Sequence, residues 1–360
     1  MSFMDEEDDE SQEWLPREHQ EALQAAIRSG GMPSASLALY ARWWQLETWL
    51  RELIYVELRA KYGTGWNQVV SLAAGRQSKD ATFTHMTGPD NENPLAYLDY
   101  SQLLKIIDDH WDLFSYALVT RRSWDGRQDD LTQIRHRIGH LRKPHPDDLA
   151  RIEQTLRDLE RGSFIAFASY NRKDQPDPQK RSDPITNGWI KAQHPTARRL
   201  IDHAASQYET TLNVQVSRRP WAAWPNDLVG APGILWHADF YMAGRTVTAA
   251  ALWRDTGLRK LKPLVIHAIV DSPWHVGFTF SAVDNPEEIA DAIGDAFDTI
   301  LTISHREDIP ALADWDARTR SAREVDFRIV AGSGWDIIDD TTIPVSSFGA
   351  GGGVDALPSW

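Results

Sequence analysis

The 360-residue chain contains no cysteine. Disulfides, thiolate metal sites and cysteine nucleophiles are therefore excluded together, and only histidines and carboxylates remain as protein metal ligands. Long apolar runs are missing too. Nothing approaches the roughly 18 uninterrupted apolar residues that cross a bilayer, and the acidic start MSFMDEEDDE has neither the positive region nor the apolar stretch of a secretory signal. The cytoplasm is the expected compartment, and no membrane partner is expected. Positive charge is also scarce: 38 Lys and Arg face 52 Asp and Glu, for a formal net charge of -14. That excludes a protein that coats nucleic acid nonspecifically, because such affinity comes from neutralised phosphates. Any nucleic-acid contact must be local.

Tryptophan, by contrast, is abundant. Sixteen of them need burial or an interface, and a chain of this length exceeds one core of ordinary size, so two domains are expected. Residues 1–15 form an acidic, flexible tail. From 16 to 165 the pattern is helical. Leu39, Trp43, Leu46, Leu50 and Leu53 recur at spacings of four and three, with Glu47 and Arg51 paired at i, i+4. Gly63 and Gly65 end that long helix. The tract LAYLDYSQLLKIIDDHWDLFSYAL supplies a second, the Asp129–Asp130 pair opens a third after RRSWDGRQ, and HPDDLARIEQTLRDLERG supplies a fourth, closed by Gly162.

The stretch 166–190, rich in proline and without apolar periodicity around NRKDQPDPQKRSDPITNG, reads as a linker. Residues 191–345 carry the helix PTARRLIDHAASQY, then strand-like TLNVQV, GILWHADFYM, TVTAAALW, LVIHAIV and HVGFTFSAV, then the helix NPEEIADAIGDAFDTILTI. The expected architecture is an α-helical bundle followed by an α+β domain with a mainly antiparallel sheet. Residues 346–360 are a Gly-rich tail.

The segment IRHRIGHLRKPHPDD, residues 134–148, concentrates three His, three Arg and a Lys in this acidic chain. Counting about 100° per residue from Leu131, Ile134, Ile138 and Leu141 fall near 300°, 340° and 280°, one core-facing stripe. On the same count His140 lies near 180° with His136 beside it at about 140°, Arg135 at about 40° and Gly139 at about 80°. A glycine inside a helix costs about 1 kcal/mol relative to alanine, which close approach of another backbone would explain. Seven basic side chains against three aspartates between 121 and 143 give a local charge of +4.

The succession LRELI, KYG, W, YLDYSQLLKIIDDHWDLF and LTQIRHRIGHLRKPHPDDLARIEQTLRDL resembles the HEPN superfamily over about residues 37–160, roughly a third of the chain. The resemblance implies a helical, homodimeric domain and, as in many members, a metal-independent endoribonuclease whose motif is Arg, four to six residues, then His. Carried over by position, the Arg is Arg135 and the His is His140. His136 stands where the family commonly has Asn, and Gly139 where it commonly has Ala, both supporting the motif. RNA would be cut by attack of the 2′-OH to leave 2′,3′-cyclic phosphate ends, and Arg121, Arg122, Arg127, Arg137, Arg142 and Lys143 would hold its backbone.

These residue types suit that chemistry. Histidine is the side chain whose proton changes hands near neutral pH, and a guanidinium meets charge on non-bridging oxygens with paired, permanently charged donors. Two residues five apart point about 140° from one another on a helix, so a two-fold dimer is a sensible way to build one cleft. No cofactor and no metal is expected. Such a nuclease needs restraint, so the second domain is expected to be regulatory, alone or through an antitoxin or other protein partner, in a toxin or antiviral-defence setting.

Other readings stand beside this one. The Arg and His can be ordinary solvated helix decoration, the module can be a silent one for dimerisation or RNA binding, and His136 with His140 can bind zinc from one helical turn. An acidic group such as Glu47 could orient Arg135. In the second domain His237, His267 and His275 invite a metal reading, Trp221 and Trp224 a partner, and AGSGW is too short for a phosphate loop.

Overall fold

The computed structural model describes residues 17–30, 33–70, 74–80, 82–83, 94–247, 261, 263–272 and 274–306. The two expected tails, AGSGW, and the run TVTAAALW beyond Val247 lie outside the described residues. A helical N-terminal region is followed by an antiparallel four-stranded sheet and a helix, an α+β arrangement. The helices are α1 (Arg17–Gly30), α2 (Ser34–Tyr62), α3 (Ala74–Asp80), α4 (Tyr100–Asp109), α5 (Trp111–Phe114), α6 (Arg121–Gly139), α7 (Asp148–Asn171), α8 (Ala197–His203) and α9 (Pro286–Ile303). No described helix is long and apolar enough to cross a membrane.

Local chemistry explains several boundaries. Asp99 accepts from the Gln102 N–H at 3.1 Å while the Gln102 side chain accepts from the Asp99 N–H, a reciprocal cap that opens α4. The tract expected as one helix here is broken at His110, whose φ of -126° leaves the helical range. Gly63, at φ +55°, supplies the left-handed residue that stops α2. Gly162 does the opposite of what its position in the sequence led us to expect: α7 continues through it to Asn171. A Cβ there would lie 1.8 Å from the Ala117 carbonyl oxygen, so this glycine permits a close backbone approach rather than ending the helix.

The described residues fall into two compact units, one comprising those up to Leu46 with Arg122–Arg157, the other Glu47–Arg121 with those from Asp158 onward. In the first, Leu39, Trp43 and Leu46 of α2, Trp124, Leu131 and Ile134 of α6, and Ile152 of α7 are buried. The second holds the sheet, formed by β1 (Thr210–Arg218), β2 (Ile234–Met242), β4 (Val265–Ser272) and β5 (His275–Ser281) in the order β1-β2-β5-β4. A two-residue pair, β3 (Arg245–Thr246) with β6 (His305–Arg306), lies outside it. One sheet face, with Val214, Trp236, Phe240 and Phe278, packs with Ile293, Phe297 and Ile300 of α9 in an apolar core.

The other face is buried and polar. Gln215, His237, Thr279 and His267 stand in one row across all four strands. His237 links Ser217 Oγ (2.7 Å) to Thr279 Oγ1 (3.1 Å), and Tyr170 of α7 hydrogen-bonds both Thr279 (2.6 Å) and His267. One row on, Asp239 binds Lys173 (2.8 and 2.9 Å) and His275 (3.2 Å), in space that a Cβ at Gly277 would invade. Among the described residues these histidines form no group of three ligands able to hold a metal.

Residues 53–60 of α2 are buried all round, and they include Glu57 and Arg59. Arg59 donates to the Pro263 and Leu264 carbonyls (3.1 and 2.7 Å) beside β4, and Tyr55 donates to Ile266 (3.4 Å). Glu57, with no exposed surface, accepts from Arg219 (2.5 to 3.1 Å), from Tyr116 (2.5 Å) and from Trp221 Nε1 (2.5 Å). Removing one member of a buried pair strands the other charge. Glu57→Ala is therefore expected to cost about 3–5 kcal/mol in urea unfolding, and pairing it with Arg219→Met should recover most of that loss.

Burial, helped by the Arg219 and Arg59 charges, pushes the His267 imidazole down to about 3. Burial and Lys173 hold His237 well below its usual value. Burial alone would raise Asp239, but the His275 hydrogen bond and the Lys173 charge bring it down to about 2. The unfolded histidines take up protons near pH 6.5 that the folded ones refuse, so their contribution is intact above that value and falls away below it, for His267 toward pH 3. Asp239 contributes above about pH 4 and is lost toward pH 2. The melting temperature should fall steadily from pH 7 to pH 4, and His267→Gln should flatten that slope; an unchanged slope in the variant would rule out His267 as its source.

Candidate functional site

The helix that carries Arg135 and ends just before His140 begins eight residues before the expected Asp129–Asp130 opening, at Arg121, and takes in RRSWDGRQ. Its anchor is Trp124, buried seven positions before Leu131. Burial of that indole offsets the unfavourable glycine at 126. Leu131 and Ile134 are buried as the periodicity predicts and Ile138 is half-buried, but Leu141 is not on the core stripe at all. It stands 91% exposed, in the turn beyond the helix.

That turn has a specific geometry. Arg142 N–H donates to Arg137 O (2.8 Å) and Leu141 N–H to Ile138 O (3.1 Å), the paired bonds of a Schellman cap. The donor of the bond that spans fewer residues must be left-handed, and Leu141 has φ 54°. Glycine is the usual occupant there, because a side chain costs about 1–2 kcal/mol in this conformation. The turn is held from the other side by Asp148, which accepts from Arg137 Nε and Nη2 (2.6 and 2.5 Å) and from the His145 N–H (2.9 Å). Burial would raise the Asp148 carboxyl, but those bonds outweigh it and hold it below the usual range; the same pair raises Arg137.

His140 thus sits where α6 ends, its N–H still bonded to His136 O at 3.2 Å. Both imidazoles are exposed, with rings 6.2 Å apart and nearly parallel at 7°. Arg135 is half-buried on the flank. Within one chain the structure does not bring Arg135 and His140 into contact. A Cβ at Gly139 would meet nothing within 4 Å among the described residues.

The six other basic residues divide. Arg122, Arg142 and Lys143 are exposed, and Arg127 is half-buried. Arg137 is committed to Asp148. Arg121 pairs with Asp108 (2.9 Å) and covers the Trp111 ring at 4.7 Å. Glu47 accepts from Arg51 (2.6 Å), which also donates to the Leu95 carbonyl. In the second unit Trp221 is drawn to Glu57, while Trp224 stays 45% exposed beneath the Arg218 guanidinium.

One feature went unread in the sequence. An open groove of about 590 Å³ runs between α6 and α7, lined by Arg122, Gly126, Arg127 and Asp130 on one side and Asp147 and Arg151 on the other. Its only signal was the glycine inside α6, which is legible as a vacancy only once α7 is beside it. The chain matches no family model, no curated protein and no solved structure.

The left-handed leucine generates a direct test. Leu141→Gly should raise the stability of the chain by about 1 kcal/mol, since the exposed side chain contributes little burial and the backbone strain is relieved. The midpoint of urea unfolding measures it, and a fall in that midpoint would mean that Leu141 is held by contacts its exposure does not reveal.

Proposed function

We propose that this chain is a HEPN-type, metal-independent endoribonuclease acting as a homodimer. The observation that carries the reading is the position of His140, exposed at the end of α6 five residues after Arg135 and within a locally basic segment. His140 would take the proton from the 2′-OH as that oxygen attacks the adjacent phosphorus. The bond to the 5′ oxygen breaks, that oxygen takes up a proton, and the products are a 2′,3′-cyclic phosphate and a 5′-OH. Arg135 would meet the charge gathering on the non-bridging oxygens. Because the two side chains diverge around the helix, the cleft would combine the helices of two copies. His136 and Gly139 support the motif, and Arg122, Arg127, Arg142 and Lys143 would hold the strand.

The sheet-bearing part of the chain would restrain or trigger the nuclease, alone or through a bound regulatory protein, in a toxin or antiviral-defence role. The second reading is a silent module that binds RNA or dimerises without cutting. It is favoured by the separation of Arg135 from His140 within one chain.

His140→Ala removes the proposed proton carrier and leaves the basic surroundings, so RNA should still bind while cleavage falls by about 10²- to 10⁴-fold. Arg135→Ala should lose most cleavage, and Arg135→Lys should restore little of it, a point charge lacking the planar fork. Cyclic phosphate ends formed in EDTA by the unaltered chain separate this reading from both the silent module and a zinc site. Full cleavage by His140→Ala, free of contaminating nuclease, would sink it.

A further inference from the structure

The groove between α6 and α7 is not used by the Arg135–His140 chemistry, yet it is built in a way that the chain itself does not explain. Gly126 lies well inside a 19-residue helix, where glycine is unfavourable. No described atom comes within 4 Å of the position its Cβ would take. Packing among the described residues therefore does not require a glycine, and its effect is to leave bare backbone on the floor of the groove. Arg122 and Arg127 flank that floor and Arg151 faces it from α7.

Two carboxylates share the groove, Asp130 and Asp147. Asp130 is paired with Arg151 across it, but both side chains are about half exposed. Such pairs are worth little in water, so an entering anion can take Arg151 from Asp130. The placement relative to His140 is also suggestive of one path. At about 100° per residue, Arg122, Gly126 and His140 fall within about 40° of one another on the helix, and Arg122 and His140 are about 27 Å apart along its axis. That distance is several nucleotides of a strand.

We infer that the α6–α7 groove is a second phosphate-binding site, which receives a backbone phosphate of the RNA several nucleotides from the bond cut at His140. The RNA as the source of that phosphate rests on the ribonuclease reading; the anion site itself does not. A phosphate would lie over Gly126, in reach of the guanidinium groups of Arg122 and Arg151, which hold it by charge-assisted hydrogen bonds. Recognition would be of the backbone, without base reading.

The test uses the full chain and two single-stranded RNAs, one of about 20 nucleotides and one of about four, too short to span both places. Gly126→Leu is the informative variant: leucine is the better helix former and has open space to occupy, so the fold is kept while the groove is filled. Its preference in kcat/KM for the long RNA over the short one should fall about tenfold, the value of one charge-assisted contact. In Arg122→Gln the slope of log affinity for the long RNA against log salt should flatten by about 0.7, one phosphate contact on a single strand. A Gly126→Leu chain that melts no lower than the parent and keeps its full preference for long RNA overturns the proposal. If the parent chain cuts neither RNA, the ribonuclease reading fails, and the groove is judged by tripolyphosphate alone. Thermal stabilisation of the parent but not of Gly126→Leu would support an anion site fed by another phosphate, and equal stabilisation of both, or none, would overturn it.

Discussion

The carboxylate of Glu57 is the point on which the larger unit turns. It lies in a stretch of α2 buried on every side, where an unpaired charge would be untenable, and three groups from distant parts of the chain converge to satisfy it. Arg219 follows β1, Trp221 belongs to the loop after it, and Tyr116 comes from the end of the α5 region. Arg219 in turn donates to the Ala166 carbonyl of α7 at 3.2 Å and to Tyr116 at 2.7 Å. Helix, strand end, loop and turn are thus fixed to one ion. A hydrophobic contact would tolerate sliding, whereas this arrangement has a single register.

The same constraint explains why the sheet has two unlike faces. Its apolar face needs only α9 and its neighbours. The opposite face lies under helices that already carry Glu57, Arg59 and Tyr170, so its own residues are polar and paired: Ser217, His237, Thr279, His267 and Asp239. Burial keeps the two central histidines neutral, which turns a row with the outward look of a metal site into an internal hydrogen-bonded layer. The edge at β4 is covered by the same helix, with Arg59 and Tyr55 supplying donors to carbonyls that would otherwise be left bare. At the other edge Asp174 pairs with Val216 of β1.

The smaller unit follows another logic. Its apolar positions hold α6 and α7 together, and the Arg137–Asp148 pair with the Schellman cap fixes where α6 stops. That cap delivers His140 to the surface beside a strained, exposed leucine. Two of the basic residues that the sequence offers are consumed by structure, Arg137 at the turn and Arg121 against Asp108 and Trp111. The net positive charge of a segment is therefore a poor guide to which of its cations can meet a phosphate.

The sequence by itself determined the kind of elements and most of their places. The three- and four-residue spacing on α2, the alternating runs of β1, β2 and β5, and the Asn285–Pro286 start of α9 each encode a local preference that packing had no reason to override. It also isolated the Arg135–His140 pair, because a motif is a property of order along the chain. Tertiary structure decided whatever depended on a neighbour from elsewhere. Gly162 reads as a stop until Ala117 is seen against it, and Gly126 reads as part of the loop before a helix until α6 takes it in and α7 makes it the floor of a groove. Leu141 reads as core until the Schellman cap turns it outward. In each case the local signal was ambiguous in energy by about 1 kcal/mol; contacts across more than ten residues of chain settled the two glycines, and the short-range cap bonds braced by Asp148 settled Leu141.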